Sequence, residues 1–277
     1  MEIVSKKYCD LRGFVGFVAL LVLLFPTPLI SQEYDLIILN GRVIDGSGNP
    51  WYQADIGVMG DRIMEIGDLS GKKAGHVIDA RGLVVSPGFI DPHTHALRGI
   101  FDVPNAESAL LQGVTTLTEG NDGSSPYPID RHYADIEDLR ISPNWAVFVG
   151  QGTIRQRVIG FGLRKASPQE MDRMKQMVRD AMEQGALGIS TGLFYVPGSF
   201  TSTEEVIELS KVAAEYNGIY ISHMREEAAQ LIESVQETIR IGEEAGIPVQ
   251  ITHHKVIGVK NWGASIESLR LVDEARA

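Results

Sequence analysis

The chain has 277 residues, 44% hydrophobic and 22% charged, with 29 Gly, 12 Pro, one Cys and a formal charge of −11. That composition excludes a disordered tail, a coiled coil, a collagen-like repeat and a polytopic membrane protein. The negative charge argues against a nucleic-acid interface, and a single Cys excludes an internal disulfide or a Cys-ligated zinc finger.

Residues 1–31 have the grammar of an export signal. Lys6, Lys7 and Arg12 form a basic start, Phe14 to Phe25 is an unbroken run of apolar residues and Gly, and Pro26, Pro28 and Ser31 follow. The run is shorter than the roughly 20 apolar residues that span a bilayer. The expectation is an exported, periplasmic or extracellular protein, with a retained N-terminal anchor as the alternative and no other membrane partner.

Residues 32–87 read as a small β-sandwich. Asp35 to Leu39 is a strand closed by Asn40-Gly41, a turn pair. Arg42-Val43-Ile44, Ala54 to Val58, Arg62 to Ile66 and His76 to Asp79 follow, separated by Gly-rich turns.

From about Pro87 the pattern becomes alternating strands and helices. Strands are expected at about 83–91, 114–119, 145–150, 186–191, 219–223 and 247–253. Ser167-Pro168-Gln169-Glu170 is a capping box with Pro at the first helical position, and the helix it opens stops at Gly185. Met171, Met174 and Met177 on that helix are read as core. Thr201 to Glu204 opens a second helix, closed by Gly218; a third covers about 227–245, and a last begins near Ser265. Strand–helix repetition means a parallel sheet, doubly wound or closed as a barrel, with chemistry at the C-terminal strand ends.

Those ends carry four of the seven histidines. His93 and His95 are two apart, so on extended backbone they face one side together. Glu119 ends the second strand with Asp122 three residues on, and the fifth and sixth strands end at His223 and His253. Imidazoles and carboxylates without a thiolate suit Zn²⁺, and also Mn²⁺, Fe²⁺ or Co²⁺. His76, His132 and His254 are read as structural.

Several of these segments resemble a known family. Gly41 to Gly46 and Pro87 to His95 are similar to the entry of the amidohydrolase superfamily. Gly113 to Thr116, Gly185 to Tyr195, Ser222-His223-Met224-Arg225 and Ile251 to Lys255 resemble the N-acyl-D-amino-acid deacylase (D-aminoacylase) family. The HxH segment is specific only to the superfamily; the Gly-Leu-Phe-Tyr and Ser-His-Met-Arg segments are more selective. The likeness covers everything after the signal.

The resemblance implies a metal-dependent (β/α)8 TIM-type hydrolase barrel over residues 88–277, about six of its eight units present, beside the sandwich. It implies that His93 and His95 hold one ion and His223 and His253 another. The family carries Cys where Asp122 stands. Asp122 is favoured for the bridging position by alignment and Glu119 by strand geometry, and both stay open. Tyr195 and Lys255 match positions that bind the substrate's carboxylate. Arg225 either binds substrate or pairs with Glu226 or Glu227. The implied reaction is hydrolysis of the amide of N-acyl-D-amino acids. The Asp that moves the proton in the family would lie beyond Ala277, so no catalytic acid/base is expected in the chain. Such barrels take about 250 residues, which is why the chain is expected to be a C-terminally truncated enzyme.

Two alternatives accompany this reading. A cyclic-amide hydrolase, similar to hydantoinases or dihydroorotases, would carry a modified Lys at the fourth strand end, where Ser190-Thr191-Gly192 stands. An inactive fragment lacking its catalytic Asp is the second.

Overall fold

A computed structural model describes residues 33–277. The expected signal, residues 1–31, lies outside them. The described chain divides after Pro87 into two units. Among the described residues no helix is long and apolar enough to cross a membrane.

The first unit holds β1 (Tyr34–Val43), β2 (Tyr52–Met59), β3 (Arg62–Gly67), β4 (Ala74–Asp79) and β5 (Val84–Val85). They form one mixed sheet ordered β3-β2-β1-β4, with β5 also paired to β1. β1 is antiparallel to β2 and parallel to β4 and β5. Tyr34, Ile37 and Leu69 make its buried cluster. Asn40-Gly41 is not the turn its sequence suggests. β1 runs through it, with a register shift between Ile38 and Gly41. Asn40 takes a left-handed φ of 61°. Its backbone N–H donates to Asp55 Oδ1 (2.7 Å) and its side chain to Asp79 Oδ1 (2.9 Å), which together hold a bulge.

The second unit begins with β6 (Phe89–Asp91) and continues through β7 (Val114–Glu119), β8 (Asn144–Val147), β9 (Val149–Gly150), β10 (Gly188–Gly192), β11 (Ile219–His223) and β12 (Val249–Ile251). The strand expected over 83–91 is therefore two strands in two units. Pro87, which has no N–H to give a ladder, lies between them. β6-β7-β8 and β9-β10-β11-β12 are each parallel and ordered as in the chain. Only buried Phe148 separates β8 from β9, and its N–H donates to Glu119 O (2.8 Å). Six strand tracks thus follow one another without reversal. That is the order of a barrel wall; a doubly wound sheet reverses.

The helices of this unit are α1 (Glu107–Leu110), α2 (Ile129–Leu139), α3 (Gln151–Val158), α4 (Pro168–Glu183), α5 (Thr203–Ala214), α6 (Leu231–Ala245) and α7 (Ser265–Arg276). Ser167 caps α4 with its full capping box, and Ser202 caps α5 by accepting from Glu205 N–H. Met174, Val178, Leu209, Val212 and Ile241 bury the helix faces against Val147, Ile189 and Tyr220 of the strands. Met171 and Met177 pack on this core. α6 begins at Leu231 rather than near 227, leaving residues 224–230 as a loop after β11.

The interior of the wall is not wholly apolar. Ser190 donates to Gly120 O, and the Thr191 hydroxyl lies 2.7 Å from Tyr220 OH and donates to Ser222 Oγ (3.1 Å). These buried groups are satisfied among themselves, as burial requires. Burial pushes the Tyr220 phenol up to about 12.

Candidate metal centre

All six tracks run in one direction, so their C-terminal ends share one rim. β6 leads into Pro92-His93-Thr94-His95, where the His93 N–H donates to Asp91 Oδ1 (3.1 Å). β7 ends at Glu119 and turns through Gly120, Asn121, Asp122 and Gly123. Gly120 is at φ 79°, and a Cβ there would meet Phe148 O at 2.0 Å. Asn121 Nδ2 donates to Thr94 O (2.9 Å) and Thr118 O (3.0 Å), tying this turn to the histidine loop. Asp122 sits at φ 55° and His253, two residues past β12, at φ 36°. Both are unusual for non-glycine residues, and such strain collects at functional sites.

The turn carries the Asp122 carboxylate into the middle of four imidazoles. Its Oδ2 is 3.4 Å from His95 Nε2. Its Oδ1 is 3.6 Å from His223 Nδ1, 3.8 Å from His93 Nε2 and 3.8 Å from His253 Nε2. The rings crowd together, with centroids 4.4 Å apart for His223 and His253 and 5.2 Å for His93 with either His95 or His253. These separations exceed hydrogen bonds. Ligand bonds of about 2.0–2.2 Å meeting at tetrahedral angles put donor atoms about 3.3–3.6 Å apart, close to what is seen. His93 Nδ1, Asp122 Oδ1, His223 Nδ1 and Glu227 Oε1 are buried without a hydrogen-bond partner. Buried polar atoms left open, on nitrogen and oxygen donors, fit a divalent cation.

The electrostatics agree. Burial lowers His93 from the ordinary imidazole value, favouring the neutral form that ligates. Burial alone would raise Asp122, but the polar contact from His223 and the charges of His93 and His253 outweigh it and hold the carboxyl below 3.8.

Glu119 stands apart from this cluster. It is buried, its Oε1 accepts from the Thr94 hydroxyl (2.6 Å), and burial raises its carboxyl above the ordinary 4.5. Of the two rival carboxylates, Asp122 is the one the fold brings to the imidazoles. The strand-end position of Glu119 faces it toward the histidine loop's backbone instead.

Arg225 points elsewhere. It pairs with neither Glu226 nor Glu227. Its Nη2 and Nε donate to Glu237 at 2.8 and 2.9 Å, and Nη2 also reaches Thr201 O (3.0 Å). The guanidinium joins the β11 loop to α6 and the entry of α5. Tyr195 lies at the rim, half exposed, its ring 4.6 Å from that of His223. Burial raises its phenol, as do Asp122 and Glu227. Lys255 Nζ lies 2.5 Å from Glu227 Oε2 and 2.9 Å from His253 Nδ1. A cavity of about 530 Å³ opens beside the cluster, lined by His95, Asp122, Glu119, Gln156, Arg98 and Tyr195 among others.

Glu227 was missed by the sequence reading. It is buried, with Oε1 3.2 Å from His253 Nδ1 and Oε2 3.7 Å from His223 Nε2. Its signal was the acidic pair closely following a histidine strand end, obscured by placing it in the first turn of a helix. His132 lies on α2 and accepts from Trp145 Nε1 (2.9 Å). His254 lies against Ser268 Oγ (2.9 Å). It lines an apolar groove of about 730 Å³ that includes no residue of the cluster.

Comparison with known proteins gives consistent results. The sequence profile of the amidohydrolase family matches residues 76–265. A D-aminoacylase of Alcaligenes xylosoxydans xylosoxydans is 42% identical over 270 residues, covering 89% of this chain and 56% of that protein. The crystal structure of an N-acyl-D-glutamate deacylase from Bordetella bronchiseptica, complexed with zinc and a phosphonate mimic of the tetrahedral intermediate, superposes with a TM-score of 0.85. It is 34% identical, over 88% of this chain and 56% of that one. An L-hydantoinase from Arthrobacter aurescens, 20% identical with a TM-score of 0.61 over 88% of this chain and 56% of that one, shares the fold alone. The chain therefore spans a little over half the length of these relatives.

Proposed function

The chain belongs to the amidohydrolase family, and from that membership we propose that it serves the metal-dependent hydrolysis of N-acyl-D-amino acids to a carboxylic acid and a D-amino acid. The observation that carries the reading is the Asp122 carboxylate set among four imidazoles with buried donor atoms left open. The 42% identity to a D-aminoacylase supports the substrate class.

His93, His95, Asp122, His223 and His253 would hold one or two ions. Zinc is favoured by the zinc-bound relative, and the all-nitrogen and oxygen donor set also accepts Mn²⁺, Fe²⁺ or Co²⁺. When bound, such an ion supplies Lewis-acid polarisation of an acyl carbonyl and lowers the pKa of its water. The chain's own residues do the orienting. The Tyr195 phenol at the rim and the Lys255 ammonium, 43% exposed, can fix a substrate carboxylate. The adjoining cavity accommodates the rest of a small amide. Arg225 is engaged by Glu237, which supports a scaffold role in place of substrate binding.

The basic start and apolar run of residues 1–31 support export, which N-terminal sequencing of the mature protein tests. For the activity, the test is bound metal measured on protein from a zinc-replete medium, with turnover of N-acetyl-D-amino acids, their L-enantiomers and a hydantoin. Bound metal is expected, and any deacylation the protein performs is expected to be D-selective. A metal-free protein, or ring opening of the hydantoin alone, overturns the reading.

A further inference from the structure

We propose that Glu227 is a positioning residue: its carboxylate accepts a hydrogen bond from the Nδ1–H of His253 and so aims the Nε2 lone pair of that ring at the cation site. The inference rests on the metal-binding reading above.

Two faces of one ring carry the argument. His253 Nε2 looks toward Asp122 Oδ1 (3.8 Å), while Nδ1 looks toward Glu227 Oε1 (3.2 Å). A neutral imidazole has one N–H and one lone pair. Binding an ion through Nε2 therefore places the proton on Nδ1. A protonated Nδ1 cannot accept from Lys255 Nζ, 2.9 Å away. The acceptor within reach is Glu227 Oε1, 3.2 Å away, a buried atom whose hydrogen-bonding capacity is open in this structure. His223 repeats the arrangement at longer range, with Nδ1 toward Asp122 (3.6 Å) and Nε2 toward Glu227 Oε2 (3.7 Å). A carboxylate behind a ligating histidine fixes both its tautomer and its ring orientation.

The placement of Glu227 is built into the fold. Its side chain is 4% exposed, and a buried carboxylate needs a compensating charge, which Lys255 provides at 2.5 Å. Its backbone carbonyl accepts from the Ile257 N–H (2.7 Å), joining the β11 loop to the segment after His253. His253 itself holds a backbone φ of 36°, a conformation that persists only when its surroundings enforce it.

The test is a two-bond ¹H–¹⁵N correlation on histidine-labelled, zinc-loaded protein, with zinc affinity measured by chelator competition on the parent and Glu227→Gln. His253 is expected to carry its proton on Nδ1 in the loaded parent. Glu227→Gln is expected to weaken zinc binding by about 10–100-fold. A loaded parent with the proton on Nε2, or a folded Glu227→Gln with parental affinity, overturns the proposal. The parent's tautomer decides even where the variant fails to fold. A parent that takes up no zinc sinks the metal reading and this proposal together, whereas a loaded parent with the other tautomer sinks this proposal alone.

Discussion

Asp122 and Glu227 stand on opposite sides of the same two imidazoles. Asp122 Oδ1 faces His223 Nδ1 and His253 Nε2, and the Glu227 carboxylate faces His223 Nε2 and His253 Nδ1. One carboxylate can share an ion with the rings while the other holds them in place. The two differ in setting as well. Asp122 is on a glycine-flanked turn among four histidines, and Glu227 is in a loop pinned by Lys255 and Ile257.

The rival carboxylates of β7 separate by substitution. Asp122→Asn leaves a weak neutral ligand at the centre of the cluster. Its zinc affinity should fall by more than the roughly 10–100-fold that attends loss of an outer partner. Glu119→Gln should leave zinc affinity unchanged, because Glu119 bonds Thr94 and not the imidazoles. Chelator competition on both variants checks this; the opposite ranking would make Glu119 the ligand.

Glu119 also sets a pH dependence of stability. Burial raises its carboxyl above 4.5, so the folded state holds the proton more tightly than the unfolded state does. The resulting stabilisation is fully present below 4.5 and is lost as pH rises through the folded value. Glu119→Gln does not titrate. The stability of the parent relative to this variant should therefore fall as pH rises from 4.5 upward, measured by urea unfolding at each pH on metal-free protein. A difference that grows with pH would refute the assignment.

Much of this was legible in the sequence, and the misses have physical causes. His93, His95, His223 and His253 announce themselves because strand ends in a parallel sheet share one rim. The capping box at Ser167 fixes α4 to the residue, since it is a local hydrogen-bond device. Asn40-Gly41 misleads because its turn chemistry serves equally well in a bulge once Asp55 and Asp79 arrive from distant strands. Glu227 is hidden for the same reason: what defines it is burial between two histidines 4 and 26 residues away, which no local pattern encodes.

Arg225 is engaged by Glu237 and the Thr201 carbonyl, so Arg225→Met leaves a nearly buried carboxylate without its partner. Removing such charge-assisted bonds costs about 1.5–3 kcal/mol. Arg225→Lys should recover only part of that, because an ammonium cannot reproduce the planar fork. Denaturant unfolding gives the stability, and the Kd for an N-acyl-D-amino acid, by calorimetry on zinc-loaded protein, should stay at the parental value. A Kd that rises while stability holds would return Arg225 to substrate binding.

The buried pair of Arg155 and Glu205 links α3 to α5 with both side chains sealed, 0% and 5% exposed, at 2.6 Å. Glu205 also accepts from Gln151 Nε2 (3.2 Å). Glu205→Gln strands a charge in the core and should cost about 3–5 kcal/mol. Replacing both partners with apolar residues of similar volume, Arg155→Met with Glu205→Leu, should recover most of the loss. Thermal and urea unfolding of the three proteins checks the order. A double variant less stable than the single one would show that the pair contributes beyond cancelling its own charges.

Gly120 tests how the Asp122 turn reaches the histidines at all. At φ 79° its missing Cβ is what lets the β7 turn lie against Phe148, since an added carbon would fall 2.0 Å from Phe148 O. Gly60, in the hairpin between β2 and β3, shares the left-handed backbone at φ 58° but faces open space. Gly60→Ala should therefore cost only the conformational penalty of about 1–2 kcal/mol. Gly120→Ala adds a clash with backbone that cannot rotate away, so the turn must shift and carry Asp122 out of the cluster. It should lose more stability than Gly60→Ala and bind zinc more weakly, while Gly60→Ala keeps parental affinity. Parental zinc affinity in a folded Gly120→Ala would show that the position of Asp122 does not depend on this contact.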